Sequence, residues 1–302
     1  MTHAHHHDHH HAPKRFGVAF AVGAALNLGL VIAEVTFGFL SNSVALVSDG
    51  VHNLSDVLGL LLAWAGSWLA TRQPSDRRTY GYRRASILAA LANAALLLTA
   101  TGGLIVEAVQ RLFDAQPIAS GMVLWVASVA IAVNLGTALL FMRGRESDIN
   151  IRGAFLHLMA DAAVSLGVVI AALLISKTGW LWLDPVASLG VALVVLASGW
   201  GLMRSALDLA LDAVPPGVDR SAVEDYLAGL PGVTEVHDLH IWGMSTTETA
   251  LTAHLVRPGA LPDDALLDQI AQELERQFHI HHVTIQLENG ALACRYAPAH
   301  VV

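Results

Sequence analysis

Ser48-Asp49-Gly50-Val51-His52-Asn53-Leu54-Ser55-Asp56 sets a histidine and an aspartate four residues apart inside an apolar run, and Ala154-Phe155-Leu156-His157-Leu158-Met159-Ala160-Asp161 repeats that spacing in a later one. Residues i and i+4 lie one above the other on a helix face, so each pair presents one imidazole and one carboxylate sideways. An aspartate at the centre of a bilayer costs about 2.5–3.5 kcal/mol on insertion scales, so such groups face partners or water-filled cavities. Two such pairs turned toward each other make a four-ligand site of His52, Asp56, His157 and Asp161. A satisfied interior histidine is the ordinary explanation for a lone His. It accounts neither for the acidic residues on both sides of His52 nor for the repetition. Positions 49, 52 and 56 share one face, and we read Asp49 as the acceptor that orients His52, because ligating histidines usually donate their second N–H to such a group.

The surrounding composition says where this site sits. Hydrophobic residues make up 54% of the 302 positions and charged residues 14%, with positive mean hydropathy, which is outside the soluble globular class. A helix needs about 20 mainly apolar residues to cross a bilayer, and runs near 16–38, 44–70, 85–110, 119–142, 151–175 and 182–203 qualify. The fold expected is an α-helical membrane protein with six transmembrane helices. The first run is of span length and follows a polar leader, so it reads as an anchor and not as a cleavable signal. Lys14 and Arg15, then Arg72, Arg77, Arg78, Arg83 and Arg84, then Arg143, Arg145 and Arg152 fall on one set of loops, while the alternate loops hold little beyond Arg111 and Lys177. The positive-inside bias therefore places both termini in the cytoplasm of a cell whose inner membrane the chain spans. The net charge of −8 and the lack of a basic run with interleaved aromatics give no footprint for nucleic acid.

Outside the spans, residues 1–15 form a cytoplasmic arm that holds seven of the sixteen histidines, read as a flexible, weak metal-collecting segment. The transmembrane domain is assigned to 16–203 and a linker with a cytoplasmic C-terminal domain to 204–302. Pro215-Pro216-Gly217 breaks the helix leaving the membrane. Beyond it, patterning predicts a helix over 219–230, strands over 233–242 and 247–256, a helix over 263–278 and a strand over 283–287. That αββαβ order suits an open-faced α+β sandwich with two helices on one face of a three-stranded sheet, marginal alone and stabilised by pairing. His237, His240, His254, His279, His281, His282 and Glu288 supply candidate metal donors there, among which the pattern does not choose. Cys294, the single cysteine, reads as a free thiol without a role. Asn27 and Glu34 in the first span read as packing or cavity residues.

Two imidazoles and two carboxylates suit a tetrahedral, redox-silent ion, Zn2+ first. Metal binding needs neutral histidine and ionised carboxylate, so metal and protons compete for the site, and alternating access turns that competition into antiport. A channel is disfavoured because four ligands hold an ion too tightly for rapid conduction. An intramembrane metalloenzyme would need a general base and an open coordination position. No His-Glu-x-x-His occurs, and no phosphate-binding Gly-x-x-x-x-Gly-Lys-[Ser/Thr] suggests ATP as the energy source. The expectation is a transporter and not an enzyme; a membrane-anchored metal sensor is the other alternative.

Asp49-x-x-His52-x-x-x-Asp56, Tyr80-Gly81-Tyr82-Arg83-Arg84, His157-x-x-x-Asp161, Asp184-Pro185, Val236-His237-Asp238-Leu239-His240-Ile241-Trp242 and Thr284-Ile285-Gln286-Leu287-Glu288 occur in one order over nearly the whole chain. Together they resemble the cation diffusion facilitator family, in particular its zinc-transporting branch. The resemblance implies a homodimeric zinc/proton antiporter in a lipid bilayer, exporting zinc, with cadmium, cobalt or iron as further cargo. It implies metallochaperone-like tails that pair, and a structural or regulatory Zn2+ held by His237, His254, His281 and Glu288. It also implies a contact of Arg83 and Arg84 with Asp208 or Asp212 below the sixth span. The loop between spans two and three offers Asp76 but no histidine, so no full metal site is expected there. Relatives with aspartate in place of the first histidine accept more ions, and His52 points toward zinc over cadmium.

Overall fold

The computed structural model describes residues 14–70, 72–142, 149–259 and 264–297. The histidine-rich arm up to Pro13 and the loop carrying Arg143 and Arg145 lie outside the described residues. Six long helices come first: α1 (Lys14–Ser41), α2 (Val44–Ala70), α3 (Ala85–Phe113), α4 (Ser120–Phe141), α5 (Ile149–Thr178) and α6 (Leu183–Ala210). Among the described residues, Ala85–Phe113, Ser120–Leu140, Phe155–Thr178 and Leu183–Ala210 are long and apolar enough to cross a membrane, and Ala25–Ser41 is a shorter apolar stretch. Six crossings were expected; α2 is not among these stretches, its first half being diluted by Asp49, His52, Asn53 and Asp56.

The chain divides into two compact units, one of Met1–Leu60 with Ala95–Gly199 and one of Leu61–Ala94 with Trp200–Val302. In the first, α1 turns into α2 through Asn42, whose φ is +57°. The first N–H groups of a helix have no partner within it, and a carboxylate placed there satisfies them and the helix dipole together. Asp184, in the first turn of α6, does this for α2: one oxygen accepts from the Val44 N–H at 2.8 Å and the other from the Ser43 hydroxyl. Close approach of α1 to α2 depends on small residues, since a Cβ at Gly38 would stand 2.7 Å from Val47 and one at Gly50 2.9 Å from Val35. Ala45, Leu46, Val123, Ala127, Val168, Ala172 and Val195 form the apolar core. Side-chain polarity runs opposite to that of a water-soluble protein. Trp125 is 74% exposed and Phe39 71%, whereas Glu34, Asp49, Asn53, Asp161 and Ser165 are buried.

In the second unit, α7 (Arg220–Ala228), β1 (Glu235–Gly243), β2 (Thr249–Val256), α8 (Asp264–Phe278) and β3 (His282–Glu288) follow α6 in the expected order. Asp219 caps α7, accepting from the Ser221 N–H at 2.9 Å and the Ala222 N–H at 3.3 Å. The sheet order is β1-β2-β3, with β1 antiparallel and β3 parallel to β2. The parallel pair needs a crossover, which α8 supplies. Val223, Leu227, Ile270 and Leu274 of the two helices pack on Leu239, Ile241, Leu251, Ala253 and Leu255, so both helices cover one face and leave the other open.

Strand register is interrupted between His237 and His240, where Asp238 adopts φ +51°. A bulge of this kind shifts the alternation of side chains by one residue. Val236 stays with the helix-covered face, while His237 pairs with His254 and His240 with Thr252 on the open one. Without it, strict alternation would put His237 on the same side as Leu239 and Ile241. Leu274→Ala, which empties the centre of the helix-covered core, is expected to destabilise the tail domain by about 2–5 kcal/mol. Limited proteolysis of the detergent-solubilised chain reads this as faster cleavage of the tail.

Candidate metal centres

The i, i+4 spacing in α2 and α5 delivers its four side chains to one place in the first unit. His52 Nε2 is 3.6 Å from Asp161 Oδ1, and His157 Nε2 is 3.3 Å from Asp56 Oδ2 and 3.7 Å from Asp161 Oδ2. His52, Asp56 and Asp161 each offer a ligand atom within 4.8 Å of the others. His157 closes the set from the more open side, with its ring edge-on to His52 at 6.2 Å. Each imidazole thus sits against a carboxylate of the opposite helix. Asp161 Oδ2, which faces His157, and His52 Nδ1, on the far side of the ring from Asp161, are buried without a hydrogen-bond partner, and an orphaned buried carboxylate oxygen suits a site that takes a cation.

Asp49 does not orient His52 as the sequence reading expected. Its Oδ2 accepts from the Ser165 hydroxyl at 2.8 Å, tying α2 to α5 one turn beyond Asp161, while its Oδ1 has no hydrogen-bond partner. Asp49 and His52 share a helix face, yet the carboxylate is taken by a hydroxyl from α5, a partner 116 residues away. Glu34, expected as a packing or cavity residue, was not assigned as a ligand. It is wholly buried, accepts from Asn53 Nδ2 at 2.7 Å and keeps one oxygen free of hydrogen bonds. Its only signal in the sequence was an acidic residue inside an apolar run.

A second cluster forms on the open face of the tail sheet. His254 Nδ1 is 3.1 Å from Glu288 Oε1, and His237 Nε2 is 3.5 Å from Glu288 Oε2. Behind them, Asp238 Oδ2 is 3.4 Å from His254 Nε2 and Glu235 Oε1 is 3.2 Å from His237 Nδ1. Burial works to raise the Glu288 carboxyl, but hydrogen bonds from Gln286 and Cys294 and the neighbouring imidazoles hold it below its ordinary value. The fourth side chain gathered here is Cys294, which the sequence reading left without a role, and not His281. His281 precedes β3, and its N–H donates to the Thr249 carbonyl at the start of β2. His254 lies five residues further along β2, about 16 Å at ~3.3 Å per residue. His240 is instead held by Asp238 at 2.9 Å.

Within the second unit, Arg84 pairs with Asp212 at 2.6 Å, so of the two aspartates expected below α6 the described pair uses Asp212. Arg83 pairs with Glu248 of the turn between β1 and β2, and the Thr246 N–H donates to Ser86 at 3.1 Å.

Residues 20–209 match the cation efflux transmembrane domain, and residues 215–290 match the cytoplasmic domain of cation efflux proteins. The metal cation efflux system protein CzcD of Cupriavidus metallidurans is 37% identical over 289 residues, 95% of this chain and 90% of that protein. A cadmium, cobalt and zinc/H(+)-K(+) antiporter of Bacillus subtilis is 37% identical over 87% of this chain and 86% of its own length. The zinc transporter ZitB of Escherichia coli is 35% identical over 99% of this chain and 94% of its own length.

Ser165→Ala removes the hydrogen bond to the Asp49 carboxylate in a buried setting, for which a loss of about 1–3 kcal/mol is expected. A thermal melt of the detergent-solubilised variant checks it, the midpoint falling below that of the parent chain.

Proposed function

The chain belongs to the cation efflux family, and we propose that it exports zinc from the cytoplasm by metal/proton antiport, with cadmium and cobalt as further cargo. Transport runs through His52, Asp56, His157 and Asp161. The observation that carries this reading is the convergence of two His-x-x-x-Asp pairs from α2 and α5, each imidazole against the other helix's carboxylate. Two nitrogen and two oxygen donors complete a tetrahedral shell for zinc. An imidazole and a carboxylate that face each other at 3.3 Å must give up that pairing, and the imidazole any second proton, to become ligands. Metal entry therefore expels protons, and proton entry from the other side of the membrane expels metal. The names of the relatives, which include zinc, cadmium, cobalt and an H(+)-coupled antiporter, support the cargo and the coupling.

All six long helices cross the bilayer in this reading. At ~1.5 Å per residue the 28 residues of α1 and the 27 of α2 extend about 40 Å, more than the ~30 Å of a hydrocarbon core. The arm of residues 1–15 and the tail from 204 onward face the cytoplasm, with 16–203 in the inner membrane, as the distribution of arginines favours. Tails of two copies pair to make a homodimer. His237, His254 and Glu288 hold a resident zinc ion there, which supplies cross-linking of the sheet's open face. The buried His237 nitrogens, without hydrogen-bond partners, fit such an ion.

His157→Ala and Asp161→Ala are each expected to abolish efflux, since three donors cannot close the shell. Proteoliposomes loaded with a pH dye and given zinc measure both halves of the cycle. Wild-type zinc flux from either variant removes the site assignment, and zinc flux without opposing proton movement removes antiport.

A further inference from the structure

The cysteine that closes the tail cluster lies beyond the segment matched to the cytoplasmic domain family, which ends at residue 290. After β3 the chain reverses at Asn289 and Gly290, where Gly290 has φ +74° and the Ala291 N–H donates to Asn289 Oδ1 at 2.9 Å. The reversal returns the chain to β2. Cys294 Sγ stands 3.5 Å from His254 Nδ1, and the Tyr296 ring is edge-on to the His254 ring at 6.3 Å.

His237, His254, Glu288 and Cys294 each offer a ligand atom within 4.8 Å of the other three. A second observation points independently to an ion. The His237 side chain is only 6% exposed, faces Glu288, and has no hydrogen-bond partner on either ring nitrogen. A buried polar group left in that condition is costly unless something else meets it. Carboxylates also stand on the far side of both imidazoles, Glu235 at 3.2 Å from His237 Nδ1 and Asp238 at 3.4 Å from His254 Nε2, where they are placed to take up the second N–H of a ligating histidine.

We propose that Cys294 is a metal ligand, completing with His237, His254 and Glu288 a four-donor site closed within one subunit and selective for thiolate-accepting divalent ions of the zinc and cadmium class. This rests on the reading of the open sheet face as the tail metal site, and it gives Cys294 the place expected for His281. The thiol releases its proton to solvent as the sulfur–metal bond forms. A thiolate donor turns the site away from magnesium, calcium and manganese, which take oxygen ligands. Four protein donors leave no open position, so the ion is resident and fastens residues 291–297 to β1 and β2.

Cobalt(II) tests this on the full chain in detergent under reducing conditions. The membrane site and the histidine-rich arm contain no thiol, Cys294 being the only cysteine of the sequence, so a near-ultraviolet thiolate-to-cobalt charge-transfer band reports this site alone. The band is expected in the parent chain and in Asp161→Ala, and is expected to be lost in Cys294→Ser, with tail affinity weakened by roughly 10–100-fold or more. Zinc is also expected to protect the cysteine of the unmutated chain from iodoacetamide, a readout that needs no variant to fold. If His237→Ala loses one equivalent of bound cobalt but the parent chain shows neither band nor protection, the thiolate ligand is overturned while the tail site stands. Should His237→Ala lose no equivalent, the tail site itself falls, and this proposal with it.

Discussion

Carboxylates inside apolar helices constrain this molecule more than any other feature. Glu34, Asp49 and Asp161 are buried among side chains that otherwise offer little to a charge, and each is met by a polar group from a different helix or a different turn. Asn53 meets Glu34, Ser165 meets Asp49, and His52 with His157 meets Asp161. These pairings fix the faces that α1, α2 and α5 present to one another, because an unpaired charge in that setting costs more than any single apolar contact returns. Asp184 extends the same logic to the first turn of α2, where the charge meets a backbone N–H of Val44 and the hydroxyl of Ser43. Helix packing and ligand geometry are therefore set by one set of interactions.

The tail meets a different constraint with different means. A sheet with helices on one side only has an open face, and polar or metal-bound groups must cover it. Histidines and carboxylates brought together by strand pairing do this at one end of the sheet, and the returning chain with Cys294 and Tyr296 adds to the cover. At the other end, His282 stacks edge-on with Tyr80 at 5.6 Å. Arg83 and Arg84 reach Glu248 and Asp212, so ion pairs link the start of α3 to the sheet turn and to the segment after α6.

Helix content and the two His-x-x-x-Asp pairs were legible in the sequence because both are local. The apolar run at 44–70 is a helix over Val44–Ala70, and the i, i+4 rule puts His52 with Asp56 and His157 with Asp161 on shared faces without knowledge of packing. What escaped the reading depends on contacts distant in sequence. Asp49 was paired with its neighbour His52, yet its partner is Ser165, more than a hundred residues away. His281 was placed with His237, His254 and Glu288 by the family resemblance, whereas its N–H pairs with the Thr249 carbonyl at the start of β2, five residues from His254. Cys294 was dismissed because nothing local announces a chain reversal that brings sulfur to an imidazole on another strand.

Strand parity at Asp238 has a wider meaning for how this tail changes over time. A strand assigns its residues to two faces by odd and even position, and the bulge flips that assignment for everything before it. Gaining or losing one residue there would exchange Val236 and His237 between the packed face and the ligand face without altering a single side chain. Metal binding in such a tail is thus written partly in chain length, and two related chains carrying the same aligned histidine can differ in whether it ever sees an ion.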